Sequence, residues 1–244
     1  MLFRSYLSQI PLFVKTLSCF GVFLAYILPT LAILVPIRFL TRIPSFVFRK
    51  LLHIAAFTFS SLMILASQSW QATALACLIA MLIIYPVLTI CEKESWYAKL
   101  LVQKSPGEVK RSMFMIFLVV AAVVAVAWGV FGRQQLAAAA ILMWGTGDAA
   151  AALIGVPFGK HKVKSRWTDG KKSWEGSAAM MAISFLCGFG VLLWGQKLAL
   201  PHALWSAGIA AILGTATELF SPSEYDTVTV PVIVTAALLL ICSI

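Results

Sequence analysis

Apolar runs of roughly 20 residues, the length a helix needs to cross a bilayer, recur from one end of this 244-residue chain to the other. They fall at about 17–37, 51–67, 70–90, 112–131, 136–157, 176–195, 203–220 and 228–244. The 51–67 and 203–220 runs are short and read as partly re-entrant. Only 11% of residues are charged and 61% are hydrophobic, about half the charged fraction of an ordinary soluble domain. The expected fold is therefore all-α: a polytopic integral membrane protein with about eight transmembrane or re-entrant helices. No stretch is left over for a soluble domain, so residues 1–244 are expected to form a single membrane-embedded catalytic domain. Pro29, Pro86 and Pro231 each remove a backbone donor and are expected to kink or end helices. Arg4 and Lys15 precede the first long run with no small-residue cleavage site, which reads as an anchor and not a removed signal.

The net charge of +10 is distributed unevenly, and the distribution sets an orientation. Arg38, Arg42, Arg49 and Lys50 lie between the first two runs. Lys93, Lys99, Lys104, Lys110 and Arg111 lie between the third and fourth, and the 159–174 loop joins the fifth and sixth. The alternate loops carry almost nothing: Ser67-Gln68-Ser69 is uncharged, and Arg133 and Lys197 stand alone. The positive-inside rule places the basic loops in the cytoplasm and both termini outside. No nucleic-acid module is visible, so the charge reads as topology and phosphate attraction. Cys19, Cys77, Cys91, Cys187 and Cys242 form no C-x-x-C pair and imply neither disulfides nor zinc. Segment 91–111 mixes signs around Trp96 and Tyr97, as expected of an interfacial amphipathic helix ending at Ser105-Pro106-Gly107; a plain connecting helix fits as well.

Two features carry chemistry. Asp148 interrupts an apolar run, and the loop after it holds Lys160, His161, Lys162, Lys164, Arg166, Lys171 and Lys172. An intramembrane carboxylate beside clustered cations points to a metal-assisted phosphate site. Contact with anionic headgroups would account for the cations but not for Asp148. Gly159-Lys160 is no Walker A motif, because Ile154 and His161 stand where Gly and Ser/Thr are needed. Gly155, Pro157, Gly159 and Gly170 still make a turn-rich loop suited to cradling phosphate. Gly145-x-Gly147 reads as close helix packing. Glu218 ends an apolar run, and with Asp226 and Asp148 it completes a set of hard oxygen donors suited to magnesium. Ser221-Pro222-Ser223-Glu224 has capping-box spacing, which makes Glu224 a structural cap. His53 lies one turn inside the second run, whereas His202 beside Pro201 reads as interfacial.

A specific resemblance rests on these residues. G-D-x-x-A-A-L-I-G-x-x-F-G-K-H-K from Gly147, followed by G-K-K-S-W-E-G-S from Gly170, resembles the CTP-dependent lipid-alcohol kinase family. That family includes dolichol, phytol and farnesol kinases and a CTP-dependent diacylglycerol kinase. Phosphatidate cytidylyltransferases share a similar core. Arg49-Lys50-x-x-His53 and Glu218…Asp226-Thr227-x-x-Val230-Pro231 resemble the phytol-kinase branch instead, with Thr227 where that branch usually has Asn. The resemblance covers about residues 49–231.

It implies transfer of the γ-phosphoryl group of CTP to a membrane lipid alcohol, either a polyprenol, a phytol-like alcohol or diacylglycerol. Asp148 and Asp226, with Glu218, are the expected ligands of a Mg²⁺ cofactor. Gly159, Lys160, Lys162, Lys171, Lys172 and Gly176 are expected to bind the triphosphate. Glu175 would hold the cytosine amine or a lysine, or favour the helix start. Arg49, Lys50 and His53 would line the site near the lipid hydroxyl, and His53 and Asp226 are both candidates for the base. The expected location is a cytoplasm-facing site in a multi-pass membrane protein (the plasma membrane in a bacterium), as a monomer or a homo-oligomer. The alternatives are a phosphatidate cytidylyltransferase, or a non-catalytic lipid or ion carrier.

Overall fold

The computed structural model describes residues 10–41, 43–101, 103, 105–164, 168, 170–222 and 225–242. Arg4, Arg42, Lys104, Arg166, Ser223 and Glu224, all used above, lie outside the described residues. The described chain is helices joined by loops, with no strand among the described residues and one isolated antiparallel bridge between Lys162 and Ser173. Its helices are α1 (Leu12–Leu40), α2 (Ser45–Ala66), α3 (Trp70–Cys91), α4 (Ser95–Leu100), α5 (Glu108–Val123), α6 (Gln134–Phe158), α7 (Trp174–Gly190), α8 (Leu200–Phe220) and α9 (Asp226–Ile241). α5 and α7 finish in π-helical stretches, Val124–Val130 and Val191–Gly195. Seven helices are long and apolar enough to cross a membrane, and α9 is a shorter apolar helix. The protein is an all-α polytopic membrane protein.

Two runs expected to be re-entrant are longer than their apolar cores. α2 has 22 residues and α8 has 21, each enough for about 30 Å of helix. Apolarity alone hides their first turns: α2 begins straight after Pro44, and α8 carries Pro201 in its first turn. The expected prolines end nothing. Pro29, Pro86 and Pro231 all lie inside continuous helices, which neighbouring helices make tolerable in a membrane.

Two other expectations fail for identifiable reasons. Segment 91–111 is not one amphipathic helix, since α4 is only six residues long. The Glu92 carboxylate folds it back, accepting the Gly107 N–H and pairing with Lys110 at 2.7 Å. The Lys110 ammonium holds Glu92 below the usual carboxylate range. Nor does Ser221 start a helix. It ends α8, its Oγ meets the Thr229 Oγ at 3.0 Å, and α9 begins only at Asp226.

α6 is the central helix. Every side chain from Leu136 to Ile141 is fully buried, because a run of alanines lets its neighbours come close. Ser61 of α2 and Ser184 of α7 donate to its carbonyls at Ala138 (3.0 Å) and Met143 (2.8 Å). Gly145 and Gly147 do mark close packing. A Cβ on Gly145 would stand 2.0 Å from the Phe57 ring, and one on Gly147 would stand 2.1 Å from the Ser184 hydroxyl. Lower exposure on α6 therefore follows from small residues on two faces, one towards α2 and one towards α7.

The basic connections share one end of the bundle. Arg38 of α1 donates to the Lys99 carbonyl at 3.5 Å, and Arg49 of α2 pairs with Glu108 of α5 at 3.1 Å. At the opposite end, Gln134 donates to the carbonyls of Ile64 and Ser67 at 2.6 and 2.7 Å.

Gly145→Ala should force Phe57 out of place and lower stability in detergent by about 1–3 kcal/mol. Gly208→Ala, where a Cβ meets nothing within 4 Å, should be neutral or stabilising by up to about 1 kcal/mol. Thermal melts of both purified variants check the contrast.

Candidate active site

The ionisable residues picked out of the helices converge beneath the basic end of the bundle. Asp148 lies ten residues before the end of α6 at Phe158, about 15 Å along the helix axis. Its Oδ2 accepts from the Lys50 ammonium at 2.6 Å and stands 3.2 Å from His53 Nε2. Lys50 and His53 are one turn apart on α2, so both reach the same α6 carboxylate. The His53 ring lies against Phe57 (4.4 Å between centroids), and Phe57 meets Trp144 edge-on at 4.6 Å.

A second cluster forms at the α8–α9 corner. Lys172 enters it from the loop with its side chain only 9% exposed. Its ammonium pairs with the Glu218 carboxylate at 3.1 Å and lies 3.7 Å from Asp226 Oδ2. It also donates to the backbone carbonyls of Glu218 and of Ser221, the latter at 2.8 Å. Those carbonyls lie at the end of α8, where the Glu218 carbonyl also accepts the Ser221 N–H at 3.4 Å, so a cation there meets both the helix-end backbone and the carboxylates.

The two clusters share one small cavity of about 30 Å³. His53, Asp148, Glu218, Asp226 and Thr227 form its polar wall, and Ile116, Trp144 and Val230 its apolar wall. Three carboxylates thus face two ammonium groups and one imidazole. The carboxylates are hard oxygen donors with one negative charge in surplus over the lysines, which suits a divalent cation such as magnesium. Among the described residues, no three ligating side chains already stand together as a metal cage. Lys50 and Lys172 hold the carboxylates apart and in place.

The loop between α6 and α7 folds as a short antiparallel pair. Val163 N–H donates to the Lys172 carbonyl at 3.0 Å, and Trp174 N–H to the His161 carbonyl at 3.1 Å. This ladder separates Lys171, which is exposed, from Lys172, which turns inward. Lys160 and Lys162 are exposed on the same loop, and Lys162 donates to the Lys171 carbonyl at 3.2 Å. Glu175 is engaged with the loop itself. It accepts from the amides of Lys160 and His161 at 3.1 Å and meets His161 Nδ1 at 2.7 Å. Gly159 and Gly176 have structural employment too. The Gly159 amide donates to the Gly155 carbonyl and the Gly176 amide to Ser173 Oγ, both at 3.2 Å. A Cβ on either would collide, with the Gly155 carbonyl at 2.3 Å or the Ala151 carbonyl at 2.8 Å.

Arg49 stands apart from the cavity on Glu108. Trp144 and Ile116 carry no sequence signal, since apolar residues in apolar runs look alike; Val230 stood out only as part of the Asp226-Thr227-x-x-Val230-Pro231 block. Glu108 looks like any acid in a first helical turn. Thr227 lines the cavity and donates to Asp226 Oδ1 at 3.4 Å.

A stretch of 109 residues is 34% identical to a protein named phytol kinase from Synechocystis sp., covering 41% of this chain and 42% of that protein. The match thus spans less than half of either chain. No family model and no solved structure matches the chain.

Replacing Lys172 with Met should leave two facing carboxylates and two helix-end carbonyls without their cation, and cost about 3–5 kcal/mol. Lys164→Gln, on the exposed side of the loop, should change stability by less than about 0.5 kcal/mol. Denaturation of the two variants in detergent reads the difference; equal melts would show that Lys172 does not hold the corner.

Proposed function

We propose that this protein is a CTP-dependent kinase that transfers the γ-phosphoryl group to the hydroxyl of a membrane lipid alcohol. The observation that carries the reading is the convergence of Asp148, Glu218, Asp226 and His53 on one cavity, with the basic loop tied to it through Lys172. The partial likeness to a phytol kinase supports a kinase acting on a lipid alcohol. CTP as the donor comes from the sequence resemblance.

In the reaction, the alcohol oxygen forms a bond to the γ-phosphorus, and the bond from that phosphorus to the β,γ-bridging oxygen breaks. The electron pair leaves with CDP, and the hydroxyl proton passes to a base. Little covalent chemistry is asked of the protein, so placement and charge dominate. Lys160, Lys162 and Lys171 present their ammonium groups on the loop as counter-charges for the triphosphate. Lys172 is the link, since its chain neighbours lie on the loop while its ammonium holds Glu218 and Asp226. Asp148 and Asp226, with Glu218 beside them, would hold magnesium, which supplies neutralisation of charge on the transferring group. His53, whose Nε2 stands 3.2 Å from Asp148 Oδ2, is one candidate to take the proton; Asp226 is the other. Lys50 then acts through Asp148, fixing its position, and not on the lipid.

The reading makes the basic end of the bundle cytoplasmic, where nucleotide is available. A cysteine replacing Lys164, in a cysteine-free background, should react with an impermeant thiol reagent only after the membrane is opened. Labelling of intact cells would reverse the topology.

The decisive measurement is label transfer from γ-labelled CTP to a panel of lipid alcohols in vesicles, with ATP as comparison. Labelled lipid phosphate plus CDP is the expected outcome. Release of pyrophosphate with formation of a CDP-lipid would identify a cytidylyltransferase, and binding without turnover a carrier. Asp148→Asn should abolish transfer. Whichever of His53→Gln and Asp226→Asn removes the base should lose about 10²–10⁴-fold in kcat.

A further inference from the structure

Asp148 of the candidate site lies ten residues in from the basic end of α6, a depth from which, on the kinase reading, a lipid alcohol would reach it from the side. Helices α2 and α5 are joined at two levels. Near the basic end, Arg49 of α2 meets Glu108 of α5 at 3.1 Å. Deeper in the bundle, Phe23 of α1 wedges between them, 6.2 Å from the Phe59 ring of α2 and 5.9 Å from the Phe117 ring of α5. Between these two levels stands His53, one turn below Arg49; Ile116, two turns below Glu108, adjoins Phe117 at the lower level. Both line the cavity. Helical spacing puts His53 on the same face of α2 as Arg49.

The helix beside this gap is weakly held. In α1 only Thr16 and Phe23 are buried, so every residue from 24 to 40 is at least partly exposed. Tyr26 still stacks on Phe59 at 4.1 Å and donates to the Ala55 carbonyl at 3.3 Å. Above that level α1 contains both Pro29 and Pro36, each of which removes a backbone hydrogen bond. A segment with little buried surface and fewer backbone bonds opens at low cost.

We propose that the gap between α2 and α5 is the lateral port through which the lipid alcohol enters, hydroxyl end first, with Arg49–Glu108 as its latch. The proposal rests on the lipid-alcohol kinase reading for its ligand. The aromatic cluster of Phe23, Phe59 and Phe117 is the floor of the port. The upper half of α1 is the side that yields. The ion pair is partly exposed, with side chains at 32% and 20%. It is therefore weak enough to open repeatedly, because exposed pairs contribute little. The hydrocarbon tail stays between the helices and the bilayer while the hydroxyl passes His53.

The test uses the full chain in vesicles containing a long-chain primary alcohol with a diazirine next to its hydroxyl. After illumination, the labelled peptides are mapped with and without excess unlabelled alcohol. The port predicts labelling around His53 and Ile116 that the unlabelled alcohol competes away. It also predicts severalfold faster labelling there in Glu108→Gln. Arg49→Lys, which keeps the charge but loses the planar fork, should show the same direction and guards against misfolding of the first variant. Labelling that is not competed, that concentrates on another helix pair such as α8 and α9, or that ignores both variants would overturn the port. Competed labelling at the gap with no phosphoryl transfer from any nucleotide would leave the port standing and remove the kinase reading. Transfer with labelling elsewhere would do the reverse.

Discussion

The contact on which the rest depends is the 2.6 Å pair between Lys50 and Asp148. A carboxylate inside an apolar helix is costly in a membrane, by roughly 2.5–3.5 kcal/mol on insertion scales. An ion-paired ammonium from the next helix offsets that cost only if α2 and α6 cross closely. Gly145 makes the crossing possible, by giving the Phe57 ring the space a Cβ would fill. The glycine, the aromatic ring and the ion pair are thus one device. Packing brings Lys50 within reach, and the ion pair fixes the depth at which α2 sits against α6. His53, one turn further on, is carried to the same oxygen without a separate means of placing it.

The α8–α9 corner follows the same logic from the loop side. Glu218 and Asp226 belong to helices that meet at a chain reversal, where carboxylates and helix-end carbonyls would repel one another. Lys172 brings a positive charge to all of them. It can do so because the bridge between Lys162 and Ser173 turns alternate loop residues to opposite sides, as alternation in an extended pair requires. The same bridge leaves Lys171 outside. Adjacent lysines thereby face different ways, Lys171 towards solvent and Lys172 towards the carboxylates. A change in the loop is felt at the cavity through a single side chain.

Much of this was legible in the sequence, unevenly. The eight apolar segments and the one-sided distribution of Lys and Arg appear in the structure, because a bilayer imposes length and satisfied backbone on every crossing helix. Asp148, Glu218 and Asp226 were conspicuous for the same reason: carboxylates in apolar surroundings have few structural excuses. The local stops were harder. Ser221-Pro222-Ser223-Glu224 matches a capping pattern, yet Ser221 closes α8, because a short motif says nothing about which of two helices it borders. Segment 91–111 looked helical until Glu92 met Lys110 and the Gly107 amide, a tertiary tie that local composition does not encode. Glu175 and the glycines at 159 and 176 lie in the most distinctive block of the chain. Their hydrogen bonds go to the loop and the α6–α7 crossing. Distinctive spacing singled out the loop and left open which of its residues build it.

That division bears on how the cavity holds three carboxylates together. Asp148, Glu218 and Asp226 cannot share a cavity of about 30 Å³ as bare anions, since like charges at these distances repel strongly in a medium of low polarity. Lys50 and Lys172 supply two positive charges and leave one negative charge uncompensated. Both come from outside the carboxylates' own helices, one from α2 and one from the loop. Each can therefore move without unwinding the element that carries the carboxylates. An incoming divalent cation would compete with ammonium groups for oxygens already oriented inward, a smaller rearrangement than assembling the ligands from solvent. The two lysines both stabilise the resting fold and keep its acidic groups turned into the cavity.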